Sequence, residues 1–175
     1  SARLAPHWRQ RLSPWLASAL AGPLYFLPLY RDARPGDLVV NAAISNSPGT
    51  ATLFTFADRS LNSIDATVAR NLEAAKPGSV SGQKTVEARR LGQLLGEIGA
   101  GNVDFLNVDV EGRDLDVLES NDWQRWSPGI IAIEDHAIKL AAVVDSPTFR
   151  FMATKGYFLH SKCNYTCIYI RNPKG

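Results

Sequence analysis

The chain has 175 residues, 19 Lys and Arg against 17 Asp and Glu, and a formal net charge of +2. At roughly 100–200 residues per domain this is one domain, two at most, long enough to bury a core without disulfide or metal staples. A hydrophobic share of 45% and a charged share of 21% exclude a disordered chain and a collagen-like fibre, and 2 cysteines are too few for a disulfide scaffold.

No stretch supplies the ~20 mostly apolar residues of a membrane-spanning helix. The best candidate, Trp15 to Tyr30, is interrupted by Pro23 and Pro28. The apolar run behind Arg3, Arg9 and Arg11 is likewise broken at Gly22-Pro23, before it makes a signal peptide. Cys163 and Cys167 are expected as free thiols, in keeping with a reducing, cytoplasmic setting. Basic residues gather at both ends, around an acidic block from Asp104 to Asp122. With no binding motif and an isoelectric point near 8.6, they do not form a nucleic-acid footprint.

Leu12, Trp15, Leu16, Ala19 and Leu20 recur at helical spacing, so residues 1–36 read as a helical N-terminal segment ahead of a domain spanning 37–175. Pro35-Gly36-Asp37 is a turn. Leu38 to Ile44 is a continuous apolar run that suits a strand buried on both faces. After a turn at Ser47 to Thr50, Ala51 to Phe56 alternates as the hairpin partner of that strand. Residues 57–83 are weakly patterned and read as a loop. Leu91, Leu94, Leu95 and Ile98 share a helical face, stopped by Gly99 and Gly101. Val103 to Val110 reads as a central strand, and Asp114 is placed to cap a helix carrying Leu115 and Leu118. Ile130 to Glu134 is a second buried strand. Ser146-Pro147 opens a helix that Gly156 ends. Tyr157 to His160 and Tyr165 to Ile170 form a closing antiparallel hairpin, and Trp123 and Trp126 are expected to pack on the sheet. Strands alternating with helices give an α/β fold with a mostly parallel sheet.

Two of these strands end in acids, one in Asp109-Val110-Glu111-Gly112 and the other in Glu134-Asp135-His136. In an open α/β sheet ligands bind beyond the carboxyl ends of the strands, and neighbouring strand tips lie about 5 Å apart. If the two strands are neighbours, Asp109, Glu111, Glu134, Asp135 and His136 converge. The alternative is that the acids cap the next helix and line an exposed loop. Acids at the end of an apolar strand are costly unless paired or functional. No GxGxxG, Walker loop, GxSxG elbow or zinc spacing is present.

The stretch Val103-Asp-Phe-Leu-Asn-Val-Asp-Val-Glu-Gly-Arg-Asp-Leu-Asp-Val-Leu118 resembles the "DFLxIDVEGxExxVL" block of the FkbM-type methyltransferases. Asn41-Ala-Ala-Ile-Ser45 with Gly49 and Ala51, Ser127-Pro-Gly-Ile-Ile-Ala-Ile-Glu134, and Lys155-Gly-Tyr157 with Asn164 are similar to further family segments, so the resemblance spans about residues 38–172. It implies a Rossmann-like class I methyltransferase fold and S-adenosylmethionine as donor. It also implies O-methylation of a small-molecule or glycan acceptor, a sugar or a secondary metabolite.

The resemblance places Asp109 at the junction of donor and acceptor, with Glu111 and His136 as candidate bases and Ala43 and Ile44 as adenine contacts. Asp109, Glu134 and Asp135 are the candidate ligands of a Mg²⁺-like divalent metal, because hard oxygen donors suit it. The family's glycine loop, "DxGAxxG", and its second strand ending in Glu-Pro are missing from the sequence. Either the first strands are lost, in a degenerate module that binds a partner without catalysis, or a segment is skipped near Val40–Asn41 or before Arg31. Acceptor and oligomeric state are not legible.

Overall fold

The computed structural model describes Asp32 and residues 35–38, 40–58, 61–110, 112–135 and 140–173. The helix expected over Leu12–Leu20 lies outside them. Among the described residues no helix is long and apolar enough to cross a membrane.

The turn at Pro35 to Asp37 forms as expected, but of the apolar run behind it only Ala43–Ile44 is strand (β1). Leu38 and Val40 stay 53% and 38% exposed, which corrects the expectation of a strand buried on both faces. The physical reason is the partner. β1 pairs in parallel with the end of β3 (Val80–Arg89), Ala43 beside Ala88 and Ile44 beside Arg89, and the residues before Ala43 have no sheet neighbour among the described residues. β2 (Gly49–Phe56) is antiparallel to β3, and the order is β1-β3-β2. β2 therefore finds its hairpin partner downstream rather than in the strand before it.

Residues 57–83, read as a loop, instead hold a helix and the start of β3. Helix α1 (Ala66–Ala75) begins where the Asp65 carboxylate accepts the backbone N–H groups of Thr67 and Val68, at 2.7 and 3.3 Å. At its far end the Glu73 carboxylate accepts the N–H groups of Gly78 (2.7 Å) and Val80 (2.9 Å), which turns the chain into β3. These bonds, Val80's foremost, hold the Glu73 carboxyl below its usual range.

The second sheet comprises β4 (Phe105–Val108), β5 (Ile130–Glu134), β6 (Tyr157–Cys163) and β7 (Thr166–Arg171), in the order β4-β5-β7-β6. β4 and β5 are parallel, in register from Phe105 beside Ile130 to Val108 beside Ile133, while β7 runs antiparallel to both β5 and β6. The expected C-terminal hairpin is present, with Asn164 at positive φ in its turn. The mostly parallel sheet is not: both sheets are mixed, with β2 antiparallel to β3 in the first and β7 antiparallel to β5 and β6 in the second, and of these pairs only β6 and β7 are joined by the tight return that makes an antiparallel neighbour obligatory. Cys163 and Cys167 are free. Cys163 pairs with Thr166 and Cys167 with Lys162, so the two thiols stand on opposite faces.

Helix α2 (Leu91–Glu97) buries Leu91 and Leu95, and Gly99 follows at φ 66. Helix α3 (Asp114–Glu119) is not capped by Asp114 as expected. Arg113 holds the cap position without a side-chain bond, and Asp114 is the first helical residue. Helix α4 (Pro147–Thr154) starts as the sequence indicates, with Ser146 Oγ accepting the Phe149 N–H at 2.8 Å.

One face of the second sheet makes the core. Leu106, Val108, Ile131, Ile133, Cys167, Tyr169 and Tyr157 pack with Leu91, Leu95, Val117, Leu118, Val143, Met152 and Trp126. The Trp123 ring meets Phe151 and Tyr157 edge-on at 5.9 and 5.7 Å, so both tryptophans pack as anticipated. The Tyr157 hydroxyl donates to the Pro128 carbonyl at 2.6 Å, and burial pushes its pKa up to about 12.

Helix α2 lies so close to the segment after α3 that a Cβ on Gly92 would stand 2.7 Å from the Asp122 backbone nitrogen. Gly92→Ala is expected to destabilise the fold by about 1–3 kcal/mol through this overpacking, read as a lowered midpoint in urea.

Candidate functional site

Because β4 and β5 are parallel neighbours with Val108 beside Ile133, Asp109 leaves the sheet directly alongside Glu134. At an inter-strand spacing of about 4.8 Å, the two acid-bearing tips meet at one end of the sheet, as the sequence anticipates. Both residues are half-buried, and each has an interaction within the molecule. Glu111 and His136 lie outside the described residues. Ala43 is half-buried, and Ile44 is built into the core with Val108 and Val110.

The turn after β4 is braced from three directions. Gly112 has φ 98, and a Cβ there would come within 3.1 Å of Val68 Cγ2, so α1 seats against the turn. The Arg113 guanidinium reaches the carboxylates of Asp116 at 3.0 Å and Asp65 at 3.8 Å. The Ser45 hydroxyl donates to the same Asp116 oxygen at 2.9 Å. The turn is thus held to β1, α1 and α3 together. Sequence reasoning missed Ser45 and Asp65, since their relevance comes only from chain reversals that no local pattern records. The Ser63 to Asp65 stretch ahead of Val68 and Leu72 was the available cue for α1.

Asp114 is a third residue that the sequence reading undervalued. It is only 7% exposed, and its Oδ2 accepts the Gly112 N–H at 3.3 Å. Its Oδ1 is buried with no hydrogen-bond partner among the described residues. Burial raises its pKa from 3.8 to about 6, opposed by the N–H groups of Asp114 itself, Gly112 and Val110 and assisted by the charge of Asp109. A buried acid that titrates near neutrality beside a second acid is the arrangement expected where proton chemistry is done.

The β5 tip is tied to the β6–β7 turn. The Asp135 N–H donates to the Tyr165 carbonyl at 2.8 Å. The Lys162 ammonium donates to the Asp135 carbonyl at 3.0 Å and the Tyr165 carbonyl at 3.4 Å, and it lies 3.5 Å from Cys167 Sγ. Burial raises the Cys167 thiol pKa, and Lys162 pulls it back. The Asp135 charge acts on Cys167 and Tyr169, on the core side of β7. Strand alternation instead puts Glu134 on the face of Ile130 and Ala132. The acids at the β5 tip therefore diverge. Among the described residues no three His, Cys, Asp or Glu side chains gather as a metal would require. This corrects the expectation that Asp109, Glu134 and Asp135 share a divalent ion.

No curated protein and no solved structure matches the chain. The family model of the methyltransferase FkbM domain matches residues 17–167, most of the chain. With the acid-ended parallel pair and the C-terminal hairpin in place, that match is decisive: the chain belongs to the FkbM methyltransferase domain family.

Proposed function

We propose that the chain is an S-adenosylmethionine-dependent methyltransferase that methylates a hydroxyl group on a sugar or secondary metabolite. The observation that carries this reading is the meeting of Asp109 and Glu134 at the carboxyl ends of adjacent parallel strands, where open α/β sheets bind ligands. The donor set fits the cofactor. Carboxylates that only accept hydrogen bonds, with a spare buried acceptor at Asp114 Oδ1, suit a cationic ligand rich in hydroxyl and ammonium donors. When bound, S-adenosylmethionine supplies an electrophilic methyl group on a sulfonium.

The protein's own part is alignment and proton removal. Asp109 orients donor and acceptor at the strand tip, worth several kcal/mol as positioning. Glu111 or His136 takes the hydroxyl proton, worth ~10²–10⁴-fold. Ile44 is committed to the core, so adenine contact from β1 falls to Ala43. The sheet's braced turn and the Lys162 tie keep both tips rigid while the acceptor enters.

A second reading, a non-catalytic module of the same family, is favoured by one feature. β4 is the outermost strand of its sheet among the described residues, although Leu106 and Val108 are as buried as central positions. Titration calorimetry with S-adenosylmethionine separates the two. Micromolar binding is the expected result, and no heat at millimolar cofactor establishes the module.

A further inference from the structure

The strand register carries the face of Asp109 and Glu134 beyond the two acid tips. Glu134 stands beside Thr166 on β7, and Thr166 beside Cys163 on β6. Val108, Ile133 and Cys167, next to them in sequence, belong to the core, so alternation sends Asp109, Glu134, Thr166 and Cys163 together to the opposite face. They form one row across the carboxyl end of the β4–β5 pair, about 14 Å long at about 4.8 Å per strand. Lys162 is not part of it. It pairs with Cys167, and its ammonium lies 3.5 Å from Cys167 Sγ on the core side. The row therefore changes character along its length. Two carboxylates hold the β4 and β5 end, a hydroxyl and a thiol hold the β7 and β6 end, and none of the four is a cation. Exposure changes along it too: Asp109, Glu134 and Thr166 are half-buried and Cys163 is exposed.

We infer that the acceptor lies along this row, positioned by Thr166 with Cys163 at its outer end, and that it is a neutral sugar. This rests on the methyltransferase reading above, in which the cationic donor sits by Asp109 and the neutral half of the row is left to the acceptor. The chemistry of the row suits a polyhydroxylated ring. Glu134 only accepts hydrogen bonds, whereas the Thr166 hydroxyl one strand away both donates and accepts. Their separation of about 4.8 Å is comparable to the span between hydroxyls on opposite sides of one sugar ring. An acceptor carrying phosphate or carboxylate would instead meet two acids with no cation in the row to offset them, a like-charge contact that selects against it.

Blocking Cys163 with N-ethylmaleimide in the full chain tests this. The chain has 2 cysteines and the other, Cys167, is fully buried, so the reagent reads position 163. The probes are the methyl glycosides of glucose, mannose, rhamnose and fucose, set against uridine-diphosphate glucose and a phenolic polyketide. With S-adenosylmethionine present, at least one glycoside is expected to slow the labelling several-fold. The labelled chain is expected to lose transfer to that glycoside by about tenfold or more, because the adduct fills the acceptor's space, while still binding cofactor. The Cys163→Ser variant, whatever its own activity, loses nothing further on the same treatment. Thr166→Val is expected to weaken the glycoside about three- to tenfold, the loss of one hydrogen bond, in KM rather than kcat and with cofactor affinity unmoved. Cofactor binding without protection of Cys163 by any glycoside overturns the inference. So do transfer that survives labelling, an acceptor KM unmoved in Thr166→Val, or a preference for the nucleotide sugar or the phenol. Absence of cofactor binding in calorimetry overturns the methyltransferase reading itself, and the acceptor assignment with it.

Discussion

Asp109→Asn is expected to lower methyl transfer by about 10²-fold or more, the loss of a few kcal/mol of positioning, while leaving the chain folded. Asp109 is half-buried just beyond β4, so an isosteric amide fits where the acid stood. What the amide removes is the negative charge at the strand tip beside Glu134, which the proposed reaction uses to align a cationic donor with its acceptor. The measurement is transfer of a labelled methyl group from S-adenosylmethionine to a panel of hydroxylated sugars and polyketides, alongside circular dichroism and thermal melting of the same preparation. Unchanged turnover removes Asp109 from the mechanism. The substitution also has a readout that needs no acceptor. The Asp109 charge is one of the influences raising the Asp114 pKa, so Asp109→Asn shifts the pH dependence of stability that Asp114 confers toward lower pH.

The parts of this fold that are legible in the sequence are those set by local chemistry. Ser146-Pro147 announces α4 because a hydroxyl cap and a proline at the first helical position both act within one turn. β5 is legible to the residue, since Ile130 to Ile133 have no polar interruption and Gly129 precedes them. The neighbouring acid tips follow from those two strands and a general rule about where sheets bind ligands.

What is not legible depends on which distant segment arrives alongside. Leu38 to Val40 is as apolar as a central strand, yet a strand exists only where a partner backbone meets it, and the chain comes alongside β3 only at Ala43 and Ile44, beside its last two residues. β3 itself is hidden because its exposed positions carry Gln83, Lys84 and Glu87, leaving a faint period-two signal. α1 is hidden because Val68 and Leu72 are its only apolar residues larger than alanine and its start rests on one Asp65 carboxylate. In the site, Asp114 looks like a helix cap from its position. Only the packed structure shows it enclosed, with one oxygen unsatisfied.

That enclosure makes Asp114 the source of the largest stability effect expected in this chain. Its carboxyl titrates near 3.8 when the chain is unfolded and at about 6 when folded. Between those values the folded chain keeps a proton that the unfolded chain has released, so stability falls as pH rises through this window and stays lowered above it. About two pH units at 1.36 kcal/mol each put the cost near ~3 kcal/mol above pH 6. Asp114→Asn removes this titration, and its amide oxygen still accepts the Gly112 N–H. The amide NH₂ must be buried in return, at about 1–3 kcal/mol. At low pH, where Asp114 is protonated anyway, the variant is therefore expected to be no more stable than the natural chain. Moving to pH 8 should shift the balance between the two by about 3 kcal/mol in the variant's favour, which corresponds to several degrees in melting temperature, at roughly 2–4 °C per kcal/mol for a chain of this size. Melting both proteins at pH 4, 6 and 8 measures that difference. Parallel curves across the three values would mean that Asp114 ionises at no cost, and that its unsatisfied oxygen has found a partner that restores its charge.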